Sequence, residues 1–505
     1  MKPVEADDYT VAVVGAGAMG QGIVQVSAQG GMRTIIYDAK DGAAAAAKDT
    51  ISKRILRLVE KGRLTEQEAD AAIARMEPVS DLAGLKDADC VVEAIFEDID
   101  VKQALFKDIE AVVSRDCIIC SNTSSIPIAA IGRVCEHRDR LAGLHFFNPV
   151  PLMKLVEVIR AAETSDETVA ALTEVGKRMT RVPVTVKDSP GFLVNLGGRS
   201  FTTEGLRIAH DQVASPSQID AIMRDCCGFR MGPFELMDLT GIDVNYPVSQ
   251  IIYNGYNQDP RLKTSPNHKA MFDAGTFGRK TGQGWYRYQD GKAIDVPSPD
   301  HTPDAAPATA VALVDDDERL QTLCDALSIQ IVSDDGEVPL LAAPTGDDAT
   351  HTALIEDVDP QRLVCVDVLF DTSKRVTLMM APGADRTKAD AVAAAIIASG
   401  RKATLINDSP GFVAQRMCAM IGNLGCFMAE IGLASPDDIN TAMELGLNYP
   451  LGPLKLVEKM EPDATLAIME ALSDLTGDPR YRPTLWLRRR AELGLSIHET
   501  VPNPN

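Results

Sequence analysis

Short, mainly apolar runs punctuate the first part of the chain: residues 11–14 (VAVV), 34–37 (TIIY), 90–94 (CVVEA) and 117–120 (CIIC). Runs of four or five, rich in β-branched residues and bounded by turn-forming residues, suit strands buried on both faces of a parallel sheet. Longer stretches with helical spacing separate them, at 21–29 and about 41–77. Together these elements predict an α/β domain with an open, mostly parallel sheet. Residues 155–159 (LVEVI) read as one more buried strand, with Glu157 in its middle. A carboxylate in such a place is costly unless a partner compensates it.

The turn after the first run is Gly15-Ala16-Gly17-Ala18-Met19-Gly20, and the second run ends at Asp38, eighteen residues past the last glycine. In this strand–turn–helix setting Gly15 permits the tight turn and Gly17 lets a pyrophosphate approach the backbone. Gly20 lets helix and strand pack closely, with Met19 in the same turn. The helix N-terminus then faces the phosphates. Asp38 can accept both ribose hydroxyls and would repel a 2′-phosphate, which favours NAD over NADP, although Lys40 lies close by.

His145 precedes Glu157 by twelve residues in GLHFFNPVPLMKLVEVI (143–159). A carboxylate beside a histidine fixes the ring and strengthens it as a general base. The pair alone does not separate that reading from a solvent-facing glutamate on an edge strand. The run at 117–120 ends in Ser121-Asn122-Thr123-Ser124-Ser125, where an open α/β sheet binds ligands and where Ser and Thr also cap helices. Lys53, Arg57 and Lys61 recur every four residues, with Arg54 and Arg63 alongside. Such a stripe is either a solvated helix face or a clamp for a phosphorylated carrier.

The net charge of −22 argues against nucleic acid and anionic membrane surfaces as partners. The N-terminal MKPVEADDYT carries no targeting pattern, and no apolar run is long enough to span a bilayer. The ten cysteines have no secretory context, and the CxxC at 117–120 lies in an apolar strand. A cytoplasmic protein with buried thiols and no metal site is expected.

Seven segments resemble the L-3-hydroxyacyl-CoA dehydrogenases of β-oxidation type: GAGAMG (15–20), VVEAIFEDIDVK (91–102), SNTSS (121–125), the 143–159 segment, KDSPGFLVN (187–195), MGPFELMDLTG (231–241) and FGRKTGQGWY (277–286). The resemblance spans about residues 8–290 and implies a Rossmann NAD domain followed by an all-α domain. It implies His145 as the catalytic base, Glu157 as its charge partner, and Ser124 as a contact to both substrate hydroxyl and cofactor. Asn195 would orient the substrate, and Glu97, Lys102 and Lys280 would contact NAD. CoA would lie against the basic helix, with Lys61, Arg54 and Arg57 as its contacts. The family's serine in that helix is replaced here by Arg54.

Residues 188–238 repeat at 408–458 with a constant offset of 220, most clearly as Asp-Ser-Pro-Gly-Phe at 188–192 and 408–412. Such register identifies an internal duplication. Its chemistry is altered, since Asn195 corresponds to Gln415 and Glu235 to Lys455. Upstream, VALVDDD (311–317) resembles VAVVGAG (11–17), with three aspartates where pyrophosphate would need glycine. The segment 367–371 echoes 144–148 and puts Cys365 or Val368 in the histidine's place. The expected order is an NAD domain (1–186), a helical domain (187–290), a Pro- and Asp-rich linker with a degenerate α/β segment (291–406), and a second helical copy (407–505).

The expected activity is reversible NAD-dependent oxidation of an L-3-hydroxyacyl-CoA. Long chains with two helical copies resemble 3-hydroxyadipyl-CoA dehydrogenases of phenylacetate breakdown, and 3-hydroxybutyryl-CoA is the other substrate. Nothing like a crotonase domain precedes Val11, so a hydratase fusion is not expected. A related hydroxyacid dehydrogenase that does not use CoA is the alternative. The two helical copies are expected to pair within one chain, as a monomer or a homodimer.

Overall fold

The computed structural model describes residues 1–500. It forms two compact units, residues 1–196 with 432–447, and residues 197–431 with the chain from 448 onward.

The first unit holds an eight-stranded sheet: β1 (Thr10–Val14), β2 (Arg33–Tyr37), β3 (Met76–Pro78), β4 (Cys90–Glu93), β5 (Ile118–Ser121), β6 (Leu141–Phe146), β7 (Leu155–Arg160) and β8 (Val182–Lys187). The strands run in the order β3-β2-β1-β4-β5-β6-β7-β8, and every neighbouring pair is parallel except β6 and β7. Val11, Ala12 and Val13 of β1 are fully buried, as a central parallel strand demands. The chain winds outward from β1 in both directions, which opens a crevice at the carboxyl ends of β1 and β4. The helix Pro436–Gly446, from the second copy, belongs to this unit. Its Gly446 sits so close to Leu155 and Val194 that a side chain there would collide with both.

One expected element is corrected. The stretch 41–77 is two helices, Ala43–Glu60 and Glu66–Ala74, followed by β3. Gly62, at φ +65°, turns the chain, and Thr65 starts the next helix by a reciprocal exchange with Glu68.

In the second unit a hairpin, β9 (Arg287–Gln289) with β10 (Lys292–Ile294), closes the first helical copy. A second sheet follows: β11 (Ala310–Leu313), β12 (Gln330–Ile331), β13 (Leu340–Ala342), β14 (Leu363–Asp367), β15 (Arg375–Met379) and β16 (Lys402–Ile406), in the order β12-β11-β13-β14-β15-β16. β15 and β16 keep the register of β7 and β8: Thr377 faces Thr404 as Glu157 faces Val184. The segment 296–310 has no regular structure until β11, yet it is tied to this sheet. His301 N–H donates to Ala403 O (2.8 Å), and Asp300 pairs with the buried Arg375 (2.8 Å).

Asp-Ser-Pro-Gly-Phe persists in both copies because it makes the same joint. Asp188 accepts from the N–H groups of Ile128 (3.0 Å) and Ala129 (2.8 Å) at the start of the helix Ile128–Gly132. Asp408 accepts from Ala349 (2.7 Å) and Thr350 (3.2 Å) at the start of Ala349–Ile355. Both phenylalanines hold left-handed backbone, Phe192 at φ +49° and Phe412 at +48°. The shared joint equates β13 with β5. Among the described residues, therefore, the second sheet lacks counterparts of β3, β4, the basic helix Ala43–Glu60 and the helix Ile99–Val112. No helix among them is long and apolar enough to cross a membrane.

Candidate active site

The glycine-rich turn lies at the carboxyl end of β1, where the helix Ala18–Gln29 begins with no side-chain cap. Gly15, at φ +110°, passes so close to Ala94 O that a Cβ would overlap it, and a Cβ on Gly20 would strike Gly15 O. Gly17 has open space on its Cβ side, so its bare backbone borders the adjoining cleft of about 520 Å³. Gly15, Gly17, Asp38, Phe96 and Val101 are among the lining residues of that cleft. Asp38 accepts from Ala16 N–H (2.7 Å) and Lys40 N–H (2.8 Å), which holds its carboxylate at the end of β2. Free helix-terminal N–H groups, an open glycine cradle and a fixed acid at the neighbouring strand end fit a dinucleotide.

His145 and Glu157 stand directly opposite each other on the antiparallel pair β6–β7. His145 Nδ1 lies 2.6 Å from Glu157 Oε2, and Glu157 is fully buried. The other carboxylate oxygen accepts from the N–H groups of Leu193 (3.1 Å) and Val194 (2.8 Å). Because β7 is paired on both sides, the edge-strand reading of Glu157 is excluded. The rings of Phe147 and Phe192 flank the imidazole at 4.5 and 5.9 Å between centroids. Nε2 is left as the ring nitrogen open to a substrate.

The loop after β5 carries Ser124, and the Asn195 amide donates to Ser124 O at 3.4 Å, so these two expected residues adjoin. Glu97 gathers the loop: one of its oxygens accepts from the Thr123 hydroxyl, from Ser124 N–H (3.0 Å), and from Ser125 N–H (3.2 Å) and Oγ (3.1 Å). Burial opposes the charge of Glu97, but these donors and Lys102 outweigh it and hold the carboxyl below the ordinary glutamate range. Lys102 is 1% exposed, and its ammonium is engaged by Glu93 (2.6 Å) and Glu97 (3.3 Å). Asn122 Oδ1 accepts Phe146 N–H (2.8 Å), next to the histidine. Sequence reading missed Glu93 and Asn122. The one available signal was an acid inside the otherwise apolar VVEA.

Lys53, Arg54, Arg57, Lys61 and Arg63 are all exposed, the first three on the helix Ala43–Glu60 and Lys61 at its C-cap. Lys280 belongs to the second unit, where it pairs with Asp243 at 2.6 Å. No cluster of metal-binding side chains occurs among the described residues, and all ten cysteines are free thiols.

The second sheet corrects one expectation. Neither Cys365 nor Val368 takes the histidine's place: the residue opposite Thr377, the counterpart of Glu157, is Asp367. The connection between the paired positions is two residues shorter than in the first copy, which moves the register. Burial pushes Asp367 up to about 6, and the Gln415 amide donates to it at 3.1 Å. Gln415 also accepts Gly346 N–H (2.9 Å) and donates to Pro344 O (3.1 Å), so its amide is wholly engaged. Gly346 itself packs against Ile468 and Ala471 of the helix Pro462–Thr476.

A doubly wound sheet with this glycine turn and acid defines the class: a dinucleotide-binding dehydrogenase. Residues 10–189 match the family model of the 3-hydroxyacyl-CoA dehydrogenase NAD binding domain, and residues 191–288 and 411–500 both match that family's C-terminal domain. The chain is 35% identical to the 3-hydroxyadipyl-CoA dehydrogenase of Escherichia coli over 492 residues, 96% of this chain and 98% of that one. A solved 3-hydroxybutyryl-CoA dehydrogenase from Escherichia coli K12 is similar with a TM-score of 0.85 and 34% identity, covering 96% of this chain and 98% of that one. The (S)-3-hydroxybutyryl-CoA dehydrogenase structure from Ralstonia eutropha covers 56% of this chain and 100% of its own, at 39% identity and a TM-score of 0.54. The chain belongs to the 3-hydroxyacyl-CoA dehydrogenase family and is an NAD-dependent oxidoreductase.

Proposed function

We propose that the chain oxidises the 3-hydroxyl of an acyl-CoA at a single site per chain, with His145 as base and 3-hydroxyadipyl-CoA as its substrate. The hydrogen-bonded pair of His145 and Glu157 carries the residue assignment: the carboxylate fills Nδ1 and leaves Nε2 for the substrate. His145 takes the hydroxyl proton as C3 loses hydride, and Glu157 stabilises the resulting imidazolium. NAD held in the glycine cradle would supply the hydride acceptor. Ser124 holds the substrate hydroxyl, and Asn195 orients the acyl group beside it. Gly15, Gly17, Met19, Gly20 and Asp38 hold the dinucleotide, with Glu97 and Lys102 in support. Lys61, Arg54 and Arg57 form an exposed cationic face suited to the phosphates of CoA.

The match to the Escherichia coli 3-hydroxyadipyl-CoA dehydrogenase over nearly the whole of both chains favours that substrate. The equally complete structural match to a 3-hydroxybutyryl-CoA dehydrogenase favours the shorter acyl group as the second reading. Turnover of NADH with 3-oxoadipyl-CoA, acetoacetyl-CoA and free acetoacetate tests both. Preference for 3-oxoadipyl-CoA is expected; preference for acetoacetyl-CoA selects the second reading, and reduction of the free acid alone defeats the CoA assignment.

The helix Arg199–His210 of the first helical copy packs on Ala414–Glu430 of the second, and the fully buried Glu204 pairs with Arg416 (2.6 Å) and Arg480 (3.3 Å). This supports an intrachain pair of helical copies and a monomeric enzyme. Sedimentation showing an obligate dimer joined through the first copy would defeat it. Ten free thiols, eight of them buried, support a cytoplasmic location.

A further inference from the structure

We infer that Glu93 is the positioning residue of the active-site loop 121–125, acting through Lys102 and Glu97 on Ser124. Glu93 ends β4 and is fully buried. A carboxylate there costs several kcal/mol unless its oxygens are filled. Three donors fill them: Lys102 Nζ (2.6 Å) and Ile95 N–H (2.7 Å) on one oxygen, and Ser121 Oγ (2.6 Å) on the other.

The bonds to Ser121 and Lys102 both lead to Ser124. Ser121 Oγ, while donating to Glu93, accepts Thr123 N–H at 3.1 Å, so the first turn of the loop is set directly by the carboxylate. Lys102 bridges Glu93 to Glu97, and Glu97 holds Thr123, Ser124 and Ser125 through four donors on one oxygen. The backbone adds Asn122 N–H to Glu93 O at 2.8 Å. Two acids and one lysine thus form a short ionic chain from the sheet to the loop. Taking Glu93 away leaves the buried ammonium with Glu97 alone, and the ammonium then draws Glu97, with the loop, off its seat. Lys102 on this reading holds Glu97 in place instead of serving chiefly as a direct cofactor contact.

The second sheet supports the assignment. Among its described residues it has no counterpart of β4 or of the helix bearing Lys102, and the place of the serine loop is taken by Pro344-Thr345-Gly346, held by Gln415. The ionic chain and the serine loop it positions are absent together.

The inference rests on the proposed role of Ser124, and a double-mutant cycle separates the two. Turnover of acetoacetyl-CoA with NADH is measured for the wild type, Glu93→Gln, Ser124→Ala and the double variant, with NADH affinity by fluorescence. Glu93→Gln should lower kcat at saturating NADH on the order of tenfold or more, with a smaller loss of NADH affinity because Glu97 and Lys102 also support the dinucleotide. The double variant should stay within about threefold of Ser124→Ala alone, because a residue acting through Ser124 has nothing left to position. Independent losses that multiply, or a kcat for Glu93→Gln within about twofold of wild type, would overturn the inference. Should Glu93→Gln not fold, Ser121→Ala enters the same cycle with an expected fall of about threefold to fivefold, judged in the same way. A wild-type enzyme inactive on both CoA thioesters counts against the proposed function, and an unaffected Ser124→Ala counts against the role of Ser124.

Discussion

At one step of the first sheet, Glu157 faces His145; at the matching step of the second, Thr377 faces Asp367. Around these positions the two regions keep the same joints: an aspartate on a helix start, a left-handed phenylalanine, and a parallel pair in the same register. What differs is the set of groups at the proposed base, its partner, the asparagine and the glycine turn. The histidine and carboxylate become aspartate and threonine, Asn195 becomes an engaged glutamine, and glycines become aspartates. Packing joints and chemical groups therefore separate cleanly within one chain, because a joint is needed wherever the fold is kept, whereas a base is needed only where a substrate binds.

The largest test of this contrast removes the proposed base. His145→Gln should lower kcat roughly a hundredfold to ten-thousandfold and leave NADH binding intact. Asp367→Ala, at the matching place, should leave turnover unchanged, and a comparable loss there would erase the distinction. Next, Gly17→Asp carries the second region's turn chemistry into the first. Open space at Gly17 lets the variant fold, and its charge should weaken NADH binding on the order of a hundredfold by fluorescence titration. Asp38→Ser should narrow the preference for NAD over NADP by about tenfold in kcat/KM, since the acid that repels a 2′-phosphate is gone.

The smallest effect concerns stability. Burial raises Asp367 to about 6 in the fold, above its ordinary value, so its contribution is fully present at low pH and is lost as pH rises through about 6. Asp220, raised by burial to about 7, acts in the same direction. Asp367→Asn should thus be more stable to unfolding than wild type at pH 8, by up to about 3 kcal/mol. The gain should vanish near pH 4. A gain independent of pH would mean that burial does not raise the aspartate above its ordinary value.

The sequence made the nucleotide turn, the His145–Glu157 pair and the repeat legible because each is a local pattern or a strict offset. Glu93 was not legible. Its partners Lys102 and Ser121 lie nine and 28 residues away, the first brought back by the helix Ile99–Val112 and the second by the pairing of β4 with β5. Asp367 was misplaced because a connection two residues shorter shifts strand pairing without leaving a mark in composition. The break at 61–65 did leave one, since Thr65 and Glu68 have the spacing of a helix start.

The helix Pro436–Gly446 changes what the worn half is for. It covers β7 and β8, with Lys187 N–H donating to Leu433 O (2.9 Å) and Gly446 seated on Leu155 and Val194. Its counterpart in the first copy, Pro216–Asp225, lies against β15 in the same fashion. Each copy thus lends a helix to the other copy's sheet. A gene cut after residue 290 would encode every proposed catalytic group and still leave the strand bearing Glu157 bare on one face. A copy that has lost the proposed catalytic groups thus keeps a structural task in the first sheet.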